Sequence, residues 1–214
     1  ASLLSAESMS LFGGKPGPGL LGTVLHEAAH NLGPSHEYRV GGKKDDEVFG
    51  GDLASMLEEL KAQSGAYYYL VLLEQKKVFD KAEVDAALVD NVVWSLNHVS
   101  RGMYTASGKR KAYSQLAAIH VGFFLEQGAL VWDPSKPAAN GKDTGAFTID
   151  FDKLRRASLD VMKVVGSIKA KGDKKAALEL AGRHVDDGTR VPMKIITERL
   201  LRFPQPNFVY EVKR

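Results

Sequence analysis

Over residues 52–75, Leu53, Met56, Leu57, Leu60, Ser64, Tyr67 and Val71 recur at steps of three and four. That spacing lines up one face of a helix and has no counterpart on a strand, so the chain must build around at least one long core-facing helix. Asp52 suits the N-cap or first turn, where a carboxylate meets unpaired amide donors. The same reasoning predicts helices near 81–103, 112–127, 151–170, 173–186 and 192–202, and one from about residue 20 to the stop signal Asn31-Leu32-Gly33-Pro34. Residues 35–51, polar and rich in glycine, read as a connecting loop. Two β-rich runs at 129–132 and 146–149 flank the turn-rich segment 133–145, which predicts a hairpin with a long, mobile tip. A last short strand is expected at 208–212. The expected class is mainly α (α+β), a helical domain carrying a small β-hairpin.

Composition narrows the chemistry. The 214 residues include 29 basic and 26 acidic side chains spread along the chain, for a net charge of +3. No basic block with interleaved aromatics marks a nucleic-acid partner. The chain has no cysteine, which excludes disulfides, a thiolate nucleophile and Cys-type zinc sites. Any metal must take histidine and carboxylate ligands. The longest apolar run, 66–73, falls far short of the roughly 20 residues that span a bilayer, so a soluble chain with no membrane partner is expected. Lack of cysteine suits the cytoplasm and equally permits a bacterial periplasm. The opening residues ASLLSAESMS have no basic n-region and do not begin with Met, so the chain is expected to start inside a longer protein.

The predicted first long helix contains His26-Glu27-Ala28-Ala29-His30. Histidines at i and i+4 project from one face and can hold a single tetrahedral ion. Glu27 falls about 100° further round the helix, the position for a general base acting on metal-bound water. An open site needs a third protein ligand, and the 52–75 helix offers Glu58 and Glu59. Glu59 is preferred: Ser55, Ala62, Gln63 and Ala66, one or two turns away, leave room for a neighbouring helix, whereas Glu58 has Lys61 at i+3 as an ion-pair partner. His36 follows closely enough to line the site. His98 and His120 sit among apolar neighbours and read as core or boundary residues, and His184, beside Asp186 and Asp187, reads as a surface residue. Within Tyr67-Tyr68-Tyr69, part must face the core and part can face a cleft.

The sequence HEAAH followed by EELKAQ (58–63) resembles the paired metal motifs of the dipeptidyl-peptidase III family and its bacterial relatives. Residues 111–128, the hairpin region, the helix near 151–172 and the run RLLRFPQPN (199–207) recur there in similar order. The likeness runs from about residue 20 onward. It implies that the whole chain, 1–214, is the zinc-binding catalytic lobe of a two-lobed metallopeptidase. On that reading His26, His30 and Glu59 bind Zn²⁺, Glu27 activates the water, and an N-terminal lobe is missing. Arg199 or Arg202 is then a candidate for binding a carboxylate of the peptide substrate, with an ordinary surface salt bridge as the alternative, and His36 is a further substrate-binding candidate. Two positions depart from the family pattern: Gln63 replaces the last Glu of the second motif, and Tyr113 aligns with a histidine that stabilises the transition state, a role a tyrosine hydroxyl can also fill. A competing expectation is a non-catalytic helical scaffold that binds peptides or partners and has kept the fold.

Overall fold

A computed structural model describes residues 1–13, 16–35 and 37–203. Its α-helices are α1 (Ala6–Met9), α2 (Pro16–His30), α3 (Asp45–Val48), α4 (Gly51–Gln75), α5 (Lys81–Val99), α6 (Ala112–Glu126), α7 (Phe151–Lys171), α8 (Lys174–Ala181) and α9 (Met193–Leu200). A π-helical turn, Gly182–Asp186, continues α8, and an antiparallel hairpin of β1 (Leu130–Pro137) and β2 (Thr144–Ile149) joins α6 to α7. The fold is mainly helical with one small hairpin, as the periodicity predicts. The strand expected at 208–212 lies outside the described residues.

Helix α4 is the axis of the structure, with α2, α5, α6 and α7 packed around it. Its apolar stripe begins as expected with Leu53, Met56 and Leu57, but every residue of the stretch 60–67 is buried, including Lys61, Gln63 and Ser64. A polar group enters such an interior only with a partner, and each of these has one on a different helix. Lys61 donates to Ala29 O of α2 at 2.6 Å, Gln63 Nε2 to Asn91 Oδ1 of α5 at 2.6 Å, and Ser64 Oγ lies 2.9 Å from His120 Nε2 of α6. These bonds fix the rotation of α4, and hence the direction in which Glu58 and Glu59 point.

The approach of α2 to α4 is unusually close at Gly65. A Cβ built there would stand 2.5 Å from Ala29 Cβ, so only glycine lets the two helices meet at this level. Gly65→Ala is expected to destabilise the fold by about 1–3 kcal/mol through overpacking. A urea midpoint unchanged from the parent would show that α2 yields without strain.

Around the hairpin and the last helices the structure departs from the sequence reading. β1 runs on to Pro137 through a register irregularity after the Asp133↔Ala146 pair, so the segment 133–145 is not one long tip. The remaining turn is tied down: Ala138 N donates to Asp143 O at 2.9 Å, and Ala139 N reaches Leu4 O at 2.8 Å. His184 is not at the surface. The π turn carries it inward until it is 2% exposed, with its Nδ1 2.4 Å from where a Cβ on Gly122 would stand. Acidic neighbours suggested solvent, but one extra residue in the helical turn re-aims the side chain. His120 is fully buried and its imidazole is pushed down to about 3 by burial, in keeping with a core histidine.

Candidate metal centre

His26 and His30, one turn apart near the end of α2, face Glu59 on α4. His26 Nε2 is 3.2 Å from His30 Nε2 and 3.2 Å from Glu59 Oε2; His30 Nε2 is 3.7 Å from that carboxylate oxygen. Ligand atoms held 2.0–2.1 Å from a tetrahedral ion stand roughly 3.3 Å apart. The triangle matches that spacing.

The outer hydrogen bonds decide what the triangle offers. Ala87 O can only accept, and it takes a hydrogen bond from Asn91 Nδ2 at 2.8 Å. Asn91 Oδ1 must then accept from Gln63 Nε2, and Gln63 Oε1, 2.9 Å from His26 Nδ1, accepts the imidazole N–H. On the other ring, His30 Nδ1 lies 2.8 Å from Glu58 Oε1, which as a carboxylate also accepts. Both histidines thus donate outward through Nδ1. With Nδ1 donating outward, the Nε2 atoms of both rings point toward each other and toward the Glu59 carboxylate, an arrangement that a cation would satisfy. Two imidazoles and one carboxylate suit a zinc-class dication better than calcium, which takes six to eight oxygens.

Burial alone would lower the His26 imidazole, but hydrogen bonds to Glu59 and Gln63 and the charges of Glu59 and Glu27 outweigh it and hold His26 above its ordinary value. Burial would raise Glu59, yet His26 and His30 keep it below the usual carboxylate range. Glu58 is lowered in the same way against burial, by Lys169, His30 and Lys61.

Beside the triangle runs a trench of about 180 Å³ between α2 and α5, lined by His26, Glu27, Asp90, Trp94 and Tyr113. Glu27, the residue after His26, is exposed and lines it. Tyr113, at the start of α6, is 44% exposed, and its hydroxyl is raised by burial and by the charge and hydrogen bond of Glu59. The structure therefore brings together His26, His30, Glu59, Glu27 and Tyr113.

It does not bring the arginines to the trench. Arg199 is buried and donates to Ser2 O, Gly145 O and Thr144 O at 2.6 Å each, clamping the N-terminal arm onto the hairpin. Arg202 pairs with Asp143 and Glu198 at 2.7 Å. Neither lines the site, and His36 lies outside the described residues. The sequence reading undervalued Glu58 and Gln63 as supports for the two rings. Gln63 follows Glu59 at i+4, so the same-face rule could have assigned it to the centre.

No family model matches the chain. Among curated proteins it is 26% identical over 186 residues to Nudix hydrolase 3 of Arabidopsis thaliana, covering 86% of this chain and 22% of that one. Among solved structures it is similar to dipeptidyl-peptidase III from Caldithrix abyssi, with a TM-score of 0.78, 23% identity, and coverage of 95% of this chain and 35% of that one. Dipeptidyl-peptidase III from Corallococcus sp. strain EGB gives a TM-score of 0.76 at 22% identity, with 95% and 34% covered. The chain has the fold of part of dipeptidyl-peptidase III, and it spans about a third of the length of those structures and about a fifth of the Arabidopsis protein.

Proposed function

We propose that this chain, which shares its fold with about a third of dipeptidyl-peptidase III, is the zinc-binding catalytic lobe of a peptidase acting on oligopeptides. The observation that carries the reading is the convergence of the His26 and His30 Nε2 atoms opposite Glu59, each ring held by its own hydrogen bond through Nδ1. His26, His30 and Glu59 would hold a Zn²⁺, which would supply Lewis acidity to a scissile carbonyl and to the attacking water.

The other steps belong to the chain's own residues. Glu27 takes a proton from the attacking water as the new C–O bond forms, then passes it to the amine as the C–N bond breaks. The Tyr113 hydroxyl, on the same trench, donates to the oxygen that gains charge. Glu58 and Gln63 keep the rings turned inward. In this proposal Arg199 is a scaffold residue, and Arg202 meets substrate only by exchanging its present carboxylate partners. The opposing wall of the cleft comes from elsewhere in a longer protein.

Tyr113 favours the second reading, a peptide-binding scaffold without turnover, because a phenol is a weaker donor to charge than an imidazolium. The Arabidopsis relative carries the name of a different hydrolase, but this chain spans only 22% of it. Metal content separates the two main readings. Protein loaded with zinc and passed through a desalting column is expected to hold one equivalent per chain. Less than about a tenth of an equivalent, with no peptide hydrolysis, would establish the scaffold. No helix of the described residues is long and apolar enough to cross a membrane.

A further inference from the structure

The connection between the two ligand-bearing helices is joined to the metal centre by a buried ion cluster. Lys169, near the end of α7, is fully buried, and its ammonium contacts Asp45 of α3 and Glu58 of α4. An ammonium without water is costly unless carboxylates compensate it, and a pair of them does so here. Glu58 Oε1 accepts from His30 Nδ1 at 2.8 Å while its other oxygen is held by Lys169. Lys61, likewise buried, stands 3.2 Å from Glu58 and donates to Ala29 O and His30 O at the end of α2. The cluster thus balances the positive charges of Lys61 and Lys169 against Asp45 and Glu58.

The same end of α7 supports the connection. A Cβ on Gly172 would stand 3.0 Å from Val48 Cγ1 and 3.1 Å from Val40 Cγ1, so residues 40 and 48 rest directly on the helix terminus. Tyr38 adds a long contact from its hydroxyl to Ala170 O at 3.5 Å. Asp45 is the charged residue of this connection that turns inward, and it meets Lys169 rather than solvent.

We propose that Lys169 is a positioning residue of the metal centre: by holding Glu58 against His30 and Asp45 in the same cluster, it makes the 37–50 connection part of the cation site. The inference rests on the metal-binding reading above. Loss of Lys169 leaves Asp45 and Glu58 without the cation they share, and Glu58 turns away from His30. The coupling is reciprocal: a cation that fixes His30 also fixes the connection, and a loosened connection weakens the cation.

Zinc affinity, measured by chelator competition, and amide hydrogen exchange over 37–50 test this in the full chain. If the parent protein binds no zinc, the metal reading fails, and this inference with it. If it does bind, Lys169→Met is expected to weaken zinc by about 10–100-fold, the range for supports of metal ligands. Zinc should slow exchange over 37–50 in the parent and much less in the variant. In a Glu58→Gln background the added effect of Lys169→Met should shrink to within about threefold, because the residue it acts through is neutral. Arg155→Met, which removes the α7 ion pairs to Glu74 and Asp85, serves as the structural control: it lowers stability and leaves zinc affinity unchanged. Should Lys169→Met not fold, Asp45→Asn cuts the same link while keeping the ammonium, and it should weaken zinc several-fold and speed exchange over 37–50. Equal zinc affinity in the parent and in the folded variant, or the same fold loss with and without Glu58, overturns the proposal while leaving the metal reading intact.

Discussion

Glu27→Gln in the complete parent protein is expected to keep its zinc and to lose about 10²–10⁴-fold in peptide hydrolysis, the usual worth of a positioned general base. The two effects separate because Glu27 is not one of the converging ligand groups, which are His26, His30 and Glu59. The carboxamide keeps nearly the shape of the carboxylate but cannot accept a proton. Zinc titration and steady-state kinetics on one oligopeptide give both numbers from the same preparation. A variant that loses its zinc would make Glu27 a ligand and Glu59 its neighbour. One that keeps full turnover would remove Glu27 from the reaction.

The helical frame was legible because its signals are local. The steps of three and four in α4, the Gly33-Pro34 stop after α2 and the alternating runs of the hairpin each depend on residues close in sequence. The triangle was legible for a related reason: His26 and His30 share a helix turn, and the choice of Glu59 over Glu58 followed from the Lys61 partner at i+3, a pair now seen at 3.2 Å. What remained hidden depends on contacts far apart in the chain. Lys169 and Glu58 are separated by 111 residues, and no periodicity announces that a lysine on a basic helix will be buried. Arg199 reaches Ser2 across 197 residues, so its role as a clamp could not be read from RLLRF. The inward turn of His184 needed the π-helical residue count, which acidic neighbours do not encode.

Buried polar residues on α4 set the direction in which the site's carboxylates point. Gln63, Ser64 and Lys61 bond to α5, α6 and α2 respectively, so the helix bearing Glu59 is held on three sides by directional contacts. Apolar packing alone tolerates small rotations, but a hydrogen bond in a low-dielectric interior does not. The departure Gln63 fits this account. Its amide both accepts from His26 and donates to Asn91, a double duty that a carboxylate could not perform.

His30→Ala is expected to lower zinc affinity by more than about 100-fold, beyond the losses typical of outer supports, because it removes one of three ligands. In the parent, zinc at 100 times its dissociation constant should stabilise the fold by about 2.7 kcal/mol, and the variant should gain almost nothing. Acid should erode the parent's affinity in a defined direction. His26 is held above its ordinary value by Glu59 and Gln63, so below that raised value a proton sits where the cation would bind. Zinc must displace it, and affinity should fall by about tenfold per pH unit on the acid side. The metal-free protein behaves oppositely. A raised imidazole contributes stability that is fully present below its unfolded pKa and is lost as pH rises through the folded one. The stabilisation conferred by zinc should therefore grow from mildly acid to neutral pH as the contribution of the His26 to Glu59 ion pair fades. Thermal unfolding with and without zinc across this range measures both trends. A zinc increment independent of pH, or one that survives His30→Ala, would mean that the ion binds somewhere other than between these helices.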